Sequence, residues 1–228
     1  MINPYARMLR ENPTEQEIAR RVAAGVSPNY RGDYRLAKNR PADIPPEENC
    51  SVWVSKLPRD VTLHQLLSSI PETGRVWATV IVPPSVRFQT AAAKITFFEP
   101  GAAQTLLSRA NGPGGTGIPV GDHLAVVRPD RNAVAASTAP ANHTRVISIA
   151  GPRELVTEEY LNRYFGQRFD YQLEEVMELV RGRVINILEW RFGSYRCQAH
   201  WAWRILLEDA FIQAQGVRVQ FERDPCDP

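Results

Sequence analysis

The sequence predicts an α+β protein in which the order strand, helix, strand, strand, helix, strand occurs twice. Three observations lead to this prediction. Segments of alternating or β-branched apolar residues are interspersed with segments whose apolar residues recur every three or four positions. The same order of segments stands before and after NAVAASTAPAN, a small-residue linker without periodicity at 132–142. A length of 228 residues accommodates two domains of ordinary small size.

Residues 1–49 are predicted to form a tail with one short helix. Thr14 and Glu17 have the spacing of a capping box, and Gly25 can end the helix. Further along, NYRGDYRLAKNR at 29–40 interleaves tyrosines with basic residues. That composition suits RNA contacts, and it suits equally a tail that packs on the protein's own surface.

The first module is predicted over residues 50–131. It opens with the strand SVWVSKLP, and the helix TLHQLLSSI follows with Thr62 as its N-cap. RVWATVIV and AAAKITFF are the next two strands, and GAAQTLLSRAN is the second helix. GPGGTGIPVG is predicted to be a flexible loop, since its G-x-G-x-x-G spacing lies between a helix and a strand, the reverse of a dinucleotide-binding context. HLAVVRP is the last strand.

A linker over 132–143 leads to the second module at 144–228. RVISIAG, LEEVMELV, VINILEWRF and VRVQFER are its predicted strands. TEEYLNRYFGQRF and the long segment SYRCQAHWAWRILLEDAFIQAQ are its predicted helices, the second ending at Gly216. Alternation along the third strand predicts a core face containing Trp190, and the pair Glu189 and Arg191 on the opposite face.

A split βαβ unit that occurs twice implies two four-stranded antiparallel sheets, each with two helices on one face. The other face of each sheet is left open. In the first strand, Trp53 lies between Val52 and Val54, so valines that point into the core place Trp53 on the open face. Either Trp53 stacks on a nucleic-acid base, or the tail or the second module covers it. Trp77, on the next strand near an expected bulge, is predicted to pack in the core.

The first module resembles the RNA recognition motif (RRM) family, whose domains have the ferredoxin-like βαββαβ fold. The family's first-strand hexamer runs apolar, aromatic, apolar, any, Asn, Leu, and residues 52–57 read VWVSKL, with Lys56 in place of Asn. Ile95-Thr96-Phe97 fits the end of the family's third-strand octamer. The octamer's two outward aromatic positions fall on Ala92 and Lys94, so the second half of the stacking platform is missing.

From about Asn39 onward, the chain also resembles a group of fungal tandem-RRM proteins. The matching segments are PPEENC, AAAKITFF, EWRFGSYRCQA and the ending DPC. The resemblance implies two RRM domains and RNA binding. RRM sheets bind single-stranded RNA by stacking unpaired bases on outward aromatics.

The predicted RNA-binding residues are Trp53, Lys56, Lys94 and Arg131. Trp53 would stack on a base, and Lys94 would reach a phosphate as a point charge. For all three cations, a solvated surface role is the alternative. The first module suits a polyanion better than the second: residues 50–131 hold eight Lys/Arg against five Asp/Glu, and residues 132–228 hold eleven against thirteen. We therefore expect weak RNA binding by the first module, and a structural or protein-binding role for the second.

The competing hypothesis is a protein–protein interaction module that uses RRM-like domains without RNA. Other function classes find little support. The sequence has no nucleophile–base motif in context, and Cys197 and His200 lack a second pair at zinc-site spacing. No enzyme activity, metal, cofactor or small-molecule substrate is expected. No apolar run approaches membrane-spanning length, and the three scattered cysteines indicate an intracellular protein of the nucleus or cytoplasm.

Overall fold

The computed structural model describes residues 14–23, 41–86, 88–113, 115 and 117–228. The predicted tail helix is present as α1, Glu15–Ala23. The backbone N–H of Glu17 donates to the Thr14 hydroxyl at 3.3 Å, as half of the predicted capping box requires. The tyrosine-rich segment 29–40 and Gly25 lie outside the described residues.

The first module consists of one antiparallel sheet with two helices on one face. Its strands and helices, in chain order, are β1 Ser51–Leu57, α2 Leu63–Ser68, β2 Val76–Val82, β3 Ala91–Phe97, α3 Pro100–Asn111, β4 Ile118–Val120 and β5 His123–Pro129. The strand order is β2-β3-β1-β5-β4. Val52 and Val54 of β1 share a buried core with Leu66 of α2 and Leu106 of α3, which places both helices on the valine face. Thr62 caps α2 with a full capping box to Gln65.

The short strand β4 was predicted as loop. Ile118 and Val120 are buried, and the strand pairs with β5 on the outer edge of the sheet. Pro119 has no N–H to donate, which an edge strand tolerates. Gly117 and Gly121 flank the strand at φ 111° and 60°, the left-handed region that favours glycine. Because glycines flank these three residues, the composition of the segment predicts a loop and not a strand.

The second module repeats the arrangement. Its elements are β6 Val146–Pro152, α4 Glu158–Gly166, β7 Leu173–Arg181, β8 Ile185–Phe192, α5 His200–Glu208, α6 Ala210–Ala214 and β9 Arg218–Phe221. The strand order is β7-β8-β6-β9. Leu188, Trp190 and Phe192 are buried in the core, as their alternation predicts, and Glu189 and Arg191 face outward.

The predicted long helix of the second module is wrong in extent. Tyr195–Ala199 forms a wide turn in which Arg196 is extended and Cys197 has φ 59°. A second break falls at Asp209, whose carboxylate accepts from the backbone N–H of Phe211 and Ile212 and so starts α6. An aspartate side chain can accept hydrogen bonds from backbone N–H groups and so interrupt a helix. The spacing of apolar residues does not predict such an interruption.

The two modules contact each other through buried polar groups. Asp224 of the second module accepts from the backbone N–H of Val76 in the first at 2.9 Å, and within its own module it pairs with the fully buried Arg145 at 2.9 Å. Ser194 of the second module bridges the edge of the first sheet, since its hydroxyl accepts from the backbone N–H of Thr79 at 2.9 Å. The two hydrogen bonds to Val76 and Thr79 therefore join the modules through buried groups.

A cluster of two histidines and a tyrosine lies at the same junction. The Tyr195 hydroxyl is 2.9 Å from Nδ1 of His143 and 3.1 Å from Nδ1 of His200. The Tyr195 ring packs 5.1 Å from that of Phe98 in the first module. Burial lowers the pKa of both imidazoles, and positive charge nearby lowers the pKa further, from Arg75 and His200 at His143 and from Arg204 at His200.

We expect the protein to lose stability under mild acid. Because the folded-state pKa of His143 and His200 lies below the ordinary value near 6.5, the unfolded chain binds more protons in this range. The stabilisation is therefore complete above about pH 6.5 and is lost as the pH falls through the lowered pKa. Urea midpoints at pH 7.5 and pH 5.5 test this. The variant His143→Gln/His200→Gln should show a smaller difference between the two, and an equal or larger difference would contradict the assignment.

Candidate nucleic-acid interface

Trp53 lies on the open face of the first sheet, at the centre of a row that crosses four strands. Its register partners are Lys94 on β3 and Arg128 on β5, and Val80 on β2 is the partner of Lys94. Neighbouring strands in a sheet are about 4.8 Å apart, so these side chains are close neighbours. Trp53 is partly exposed, whereas Val52 and Val54 are completely buried. The alternation in the sequence therefore places Trp53 correctly.

Lys94 is held by its own protein. Its ammonium lies 2.6 Å from the carboxylate of Asp130, a side chain that is 8% exposed, and donates to the carbonyl of Asn132 at 3.0 Å. A lysine bound in this way is largely neutralised before any phosphate approaches. The geometry favours neither of the roles predicted for Lys94, since the ammonium is engaged rather than solvated or free.

Arg128 is the cation that the sequence prediction omitted. It is exposed, stands directly across from Trp53 on β5, and forms no ion pair within the described part of the chain. A guanidinium offers five donors and stacks on planar groups, which suits both phosphate and base. The signal was available in the sequence, because Arg128 directly follows Val127, a core residue of the last strand, and alternation therefore places Arg128 outward.

Lys56 and Arg131 are both exposed and lie near opposite ends of β1. Lys56 sits in a bulge between Val54 and Leu57 and has φ 62°. Arg131 follows the end of β5. Neither has an ion-pair partner among the described residues. With Arg128 between them, the three cations follow the β1 and β5 side of the open face.

The linker closes one end of this face. The carbonyl of Asn132 accepts from the Ser51 hydroxyl at 3.2 Å, and the backbone N–H of Cys50 donates to Val134 at 2.9 Å. Ser51 and Thr96, which share the outward direction of Trp53, are consequently buried. Trp53 lies next to the end of the face that the linker covers, and the face remains open toward Leu57, the last residue of β1.

The remaining open face is aliphatic. Val80, Val82 and Leu124 are 54%, 41% and 47% exposed. Ala92, where the RRM family often has an aromatic, contributes only a methyl group. Trp53 stands between Lys94 and Arg128 and is the one stacking ring on the described part of this face, which is otherwise largely apolar.

The open face of the second sheet has a different character. The Arg191 guanidinium donates to Glu189 at 2.7 Å and to Glu175 at 3.2 Å. The Ser148 hydroxyl donates to Glu222 at 2.6 Å. Carboxylates thus surround Arg191 on this face and pair with it, so this part of the face offers a phosphate little attraction.

The other residues considered from sequence are accounted for structurally. Trp77 is only partly buried, and the Arg196 guanidinium lies 4.9 Å from its ring centroid at the module junction, so it is not a core residue. Cys197 is exposed, and His200 belongs to the junction cluster. No group of metal-ligating side chains occurs within the described ranges. No helix in those ranges is long and apolar enough to cross a bilayer.

Comparison of the fold with solved structures finds tandem RRM proteins. The RNA recognition domains 1 and 2 of Sex-lethal from Drosophila melanogaster are 17% identical, over 76% of this chain and 100% of that chain, with a TM-score of 0.27. The first two RRM domains of the yeast poly(U) binding protein are 14% identical, over 76% and 99%, with a TM-score of 0.29.

Three RNA binding domains of the yeast splicing factor Prp24 are 10% identical to this chain, which covers 64% of their length, with a TM-score of 0.33. No family model and no curated protein sequence matches the chain.

The topology itself identifies the fold. In each module the four main strands lie in the order 2-3-1-4 across the sheet. In the first module, β5 is the fourth of these strands and β4 is an additional edge strand. The helices of each module pack on one face, and the opposite face is open. This arrangement is the split βαβ fold, and it confirms the predicted fold class. The chain therefore consists of two tandem domains with the ferredoxin-like βαββαβ fold.

Proposed function

We propose that this protein binds single-stranded RNA weakly, through the open sheet face of its first module. The observation that carries the proposal is the position of a partly exposed Trp53 beside an exposed Arg128 on the adjacent strand, which has no ion-pair partner among the described residues. A base can stack on the indole while its phosphate meets the guanidinium. Stacking is worth about 1–3 kcal/mol per base, so a single ring supports only modest affinity.

The second module supports a structural or protein-binding role. Its open face carries paired charges and no outward aromatic on β6, where Ser148 occupies the outward position between Ile147 and Ile149. In the intact protein, Arg191→Ala should therefore leave RNA affinity unchanged.

A specific observation favours the competing hypothesis of a protein-binding face. Val80, Val82 and Leu124 are aliphatic and exposed, and aliphatic side chains attract an apolar peptide more than a base. The two hypotheses differ over Arg128. An apolar peptide would depend on Val80 and Val82, whereas RNA depends on the cation beside Trp53.

Two substitutions separate a free cation from a neutralised one. Arg128→Ala should weaken binding to a short single-stranded RNA by about 1–2 kcal/mol, the size of a lost charge-assisted contact. Lys94→Ala should reduce RNA affinity less and stability more, because it leaves the buried carboxylate of Asp130 without its partner. Fluorescence anisotropy and urea unfolding on both variants provide the comparison. A larger loss of affinity in Lys94→Ala would reverse the assignment of the two cations.

The dependence of affinity on salt should be shallow. For single strands, log K falls by about 0.7 per neutralised phosphate for each unit of log salt, which gives a slope of roughly −2 for the three cations Lys56, Arg128 and Arg131. Anisotropy titrations between low and physiological salt measure it. A slope several times steeper would require a long basic groove that the described surface lacks.

A further inference from the structure

We infer that the first module contains a peptide-binding cleft, between the end of α2 and the start of β2, and that the chain's own segment Asp224–Cys226 occupies it. This segment follows β9, the last strand of the second module, yet Asp224 and Cys226 both contact the first module. The cleft is separate from the open sheet face, and the inference does not depend on RNA binding.

Cys226 forms the apolar contact of the docked segment. Its side chain is 1% exposed and belongs to the buried core of the first module, beside Leu67. The thiol donates to the carbonyl of Leu67 at 3.5 Å. Burial raises the pKa of Cys226 to about 12, so the thiol remains a neutral donor. Cys226 thus completes the core of the first module beside Leu67, a residue 159 positions earlier in the chain.

The backbone of Cys226 supplies the second contact. Its carbonyl accepts from the N–H groups of both Thr73 and Gly74, each at 2.7 Å. The turn that carries these donors has unfavourable backbone geometry, with φ 51° at Glu72 and 143° at Gly74. Such a turn needs external support, and the docked carbonyl supplies it by satisfying two donors at once.

Asp224 supplies the third contact. One carboxylate oxygen accepts from the backbone N–H of Val76, the first residue of β2, at 2.9 Å. The same carboxylate pairs with Arg145 and accepts from the N–H of Cys226 at 3.0 Å. Both Asp224 and Arg145 are 0% exposed. A carboxylate at this point therefore joins the first strand of the second module to the second strand of the first.

These contacts define the ligand. It is a short peptide with an aspartate and, two positions later, a small apolar residue with a weak donor, folded into a turn by the Asp227 N–H and Asp224 carbonyl. Pro225 between them is exposed and makes none of the hydrogen bonds described above. The specificity of the cleft is thus set by the first and third positions of Asp-Pro-Cys.

A peptide supplied in trans tests the cleft directly. The full chain is shortened after Arg223, and a fluorescently labelled peptide of residues 222–228 is titrated into it and into the unshortened protein. We expect saturable binding to the shortened chain only. Peptides with Asp224→Ala or Cys226→Glu should bind at least tenfold more weakly, and the matched control Pro225→Ala should bind like the parent peptide. Equal binding by all four peptides, or no binding to a folded shortened chain, would overturn the inference.

Hydrogen exchange in the full-length protein covers the case in which the shortened chain does not fold. Cys226→Ser is a mild change, whereas Asp224→Asn keeps the size of the side chain but removes the charge that pairs with Arg145; both retain the chain length. The amides of Thr73, Gly74 and Val76 should exchange at least tenfold faster in these variants, while amides of β8 keep their protection. Pro225→Ala should leave all of them unchanged. Unaltered exchange at Thr73, Gly74 and Val76 in both variants would show that the segment does not support the turn.

Discussion

Asp224→Ala should lower the free energy of unfolding by about 3–5 kcal/mol, the usual cost of removing one partner from a buried ion pair. Arg145 is fully buried and remains charged: burial lowers its pKa, but the carboxylates of Asp224 and Glu174 more than offset this and raise the pKa above that of a free arginine. Without Asp224 its partners among the described residues are Glu174, the carbonyl of Phe192 and the Cys226 sulfur, of which only Glu174 carries a charge. The backbone N–H of Val76 also loses its acceptor.

Urea unfolding of four variants, Asp224→Ala, Arg145→Leu, their combination and Asp170→Ala, measures this effect. Asp170→Ala, an exposed aspartate, is the matched control and should change stability by less than about 0.5 kcal/mol. Arg145→Leu/Asp224→Ala should cost less than the sum of the two single changes, because the charge left unpaired in each single variant is absent. A loss below about 1 kcal/mol in Asp224→Ala would contradict the buried junction.

Trp53→Ala should weaken RNA binding by about 1–3 kcal/mol, the loss expected for one stacked base. The indole is partly exposed and stands on the open face, so its removal leaves no closed cavity. We therefore expect a loss of stability well below the 3–5 kcal/mol typical of truncating a fully buried tryptophan.

Two other tryptophans are matched controls for that experiment. Trp190 is 0% exposed in the second core, so Trp190→Phe should reduce stability and leave the affinity of the folded fraction intact. Trp201 is exposed on α5, and Trp201→Ala should alter neither quantity strongly. Were Trp53→Ala to behave like the Trp190 variant, the protein-binding hypothesis would lead.

Local patterns in the sequence predicted most of the fold. Alternation placed Val52, Trp53 and Val54 on the correct faces, and a single threonine identified the start of α2. The predicted long helix of the second module is wrong because individual residues interrupt it. The backbone at Cys197 and the capping carboxylate of Asp209 interrupt a segment whose apolar spacing suits a continuous helix.

The candidate site could be predicted only in part. Alternation along one strand shows that Trp53 faces outward, but the state of a lysine depends on partners distant in sequence. Lys94 is neutralised by Asp130, which the chain reaches only after another helix and two strands. The docking of Cys226 is harder still, since nothing in a short polar ending indicates which core it completes. Contacts of this kind are set by tertiary structure.

The docking of Asp224–Cys226 on the first module also determines how RNA binding by each module should be tested. A fragment limited to residues 50–131 lacks Cys226 and Asp224, so its weak binding would not distinguish an absent RNA site from a damaged fold. Point substitutions in the intact chain avoid this ambiguity.

Ultraviolet crosslinking of the intact protein to a short single-stranded RNA, followed by mass spectrometry of the crosslinked peptides, shows whether RNA binds the open face of the first sheet at Trp53. Aromatic residues in contact with bases are favoured crosslinking positions. If RNA stacks on Trp53, we expect crosslinks in the peptide that contains Trp53, and we expect these crosslinks to be lost in Trp53→Ala. Crosslinks confined to residues 144–228, or unchanged by the substitution, would contradict an RNA site on the first sheet.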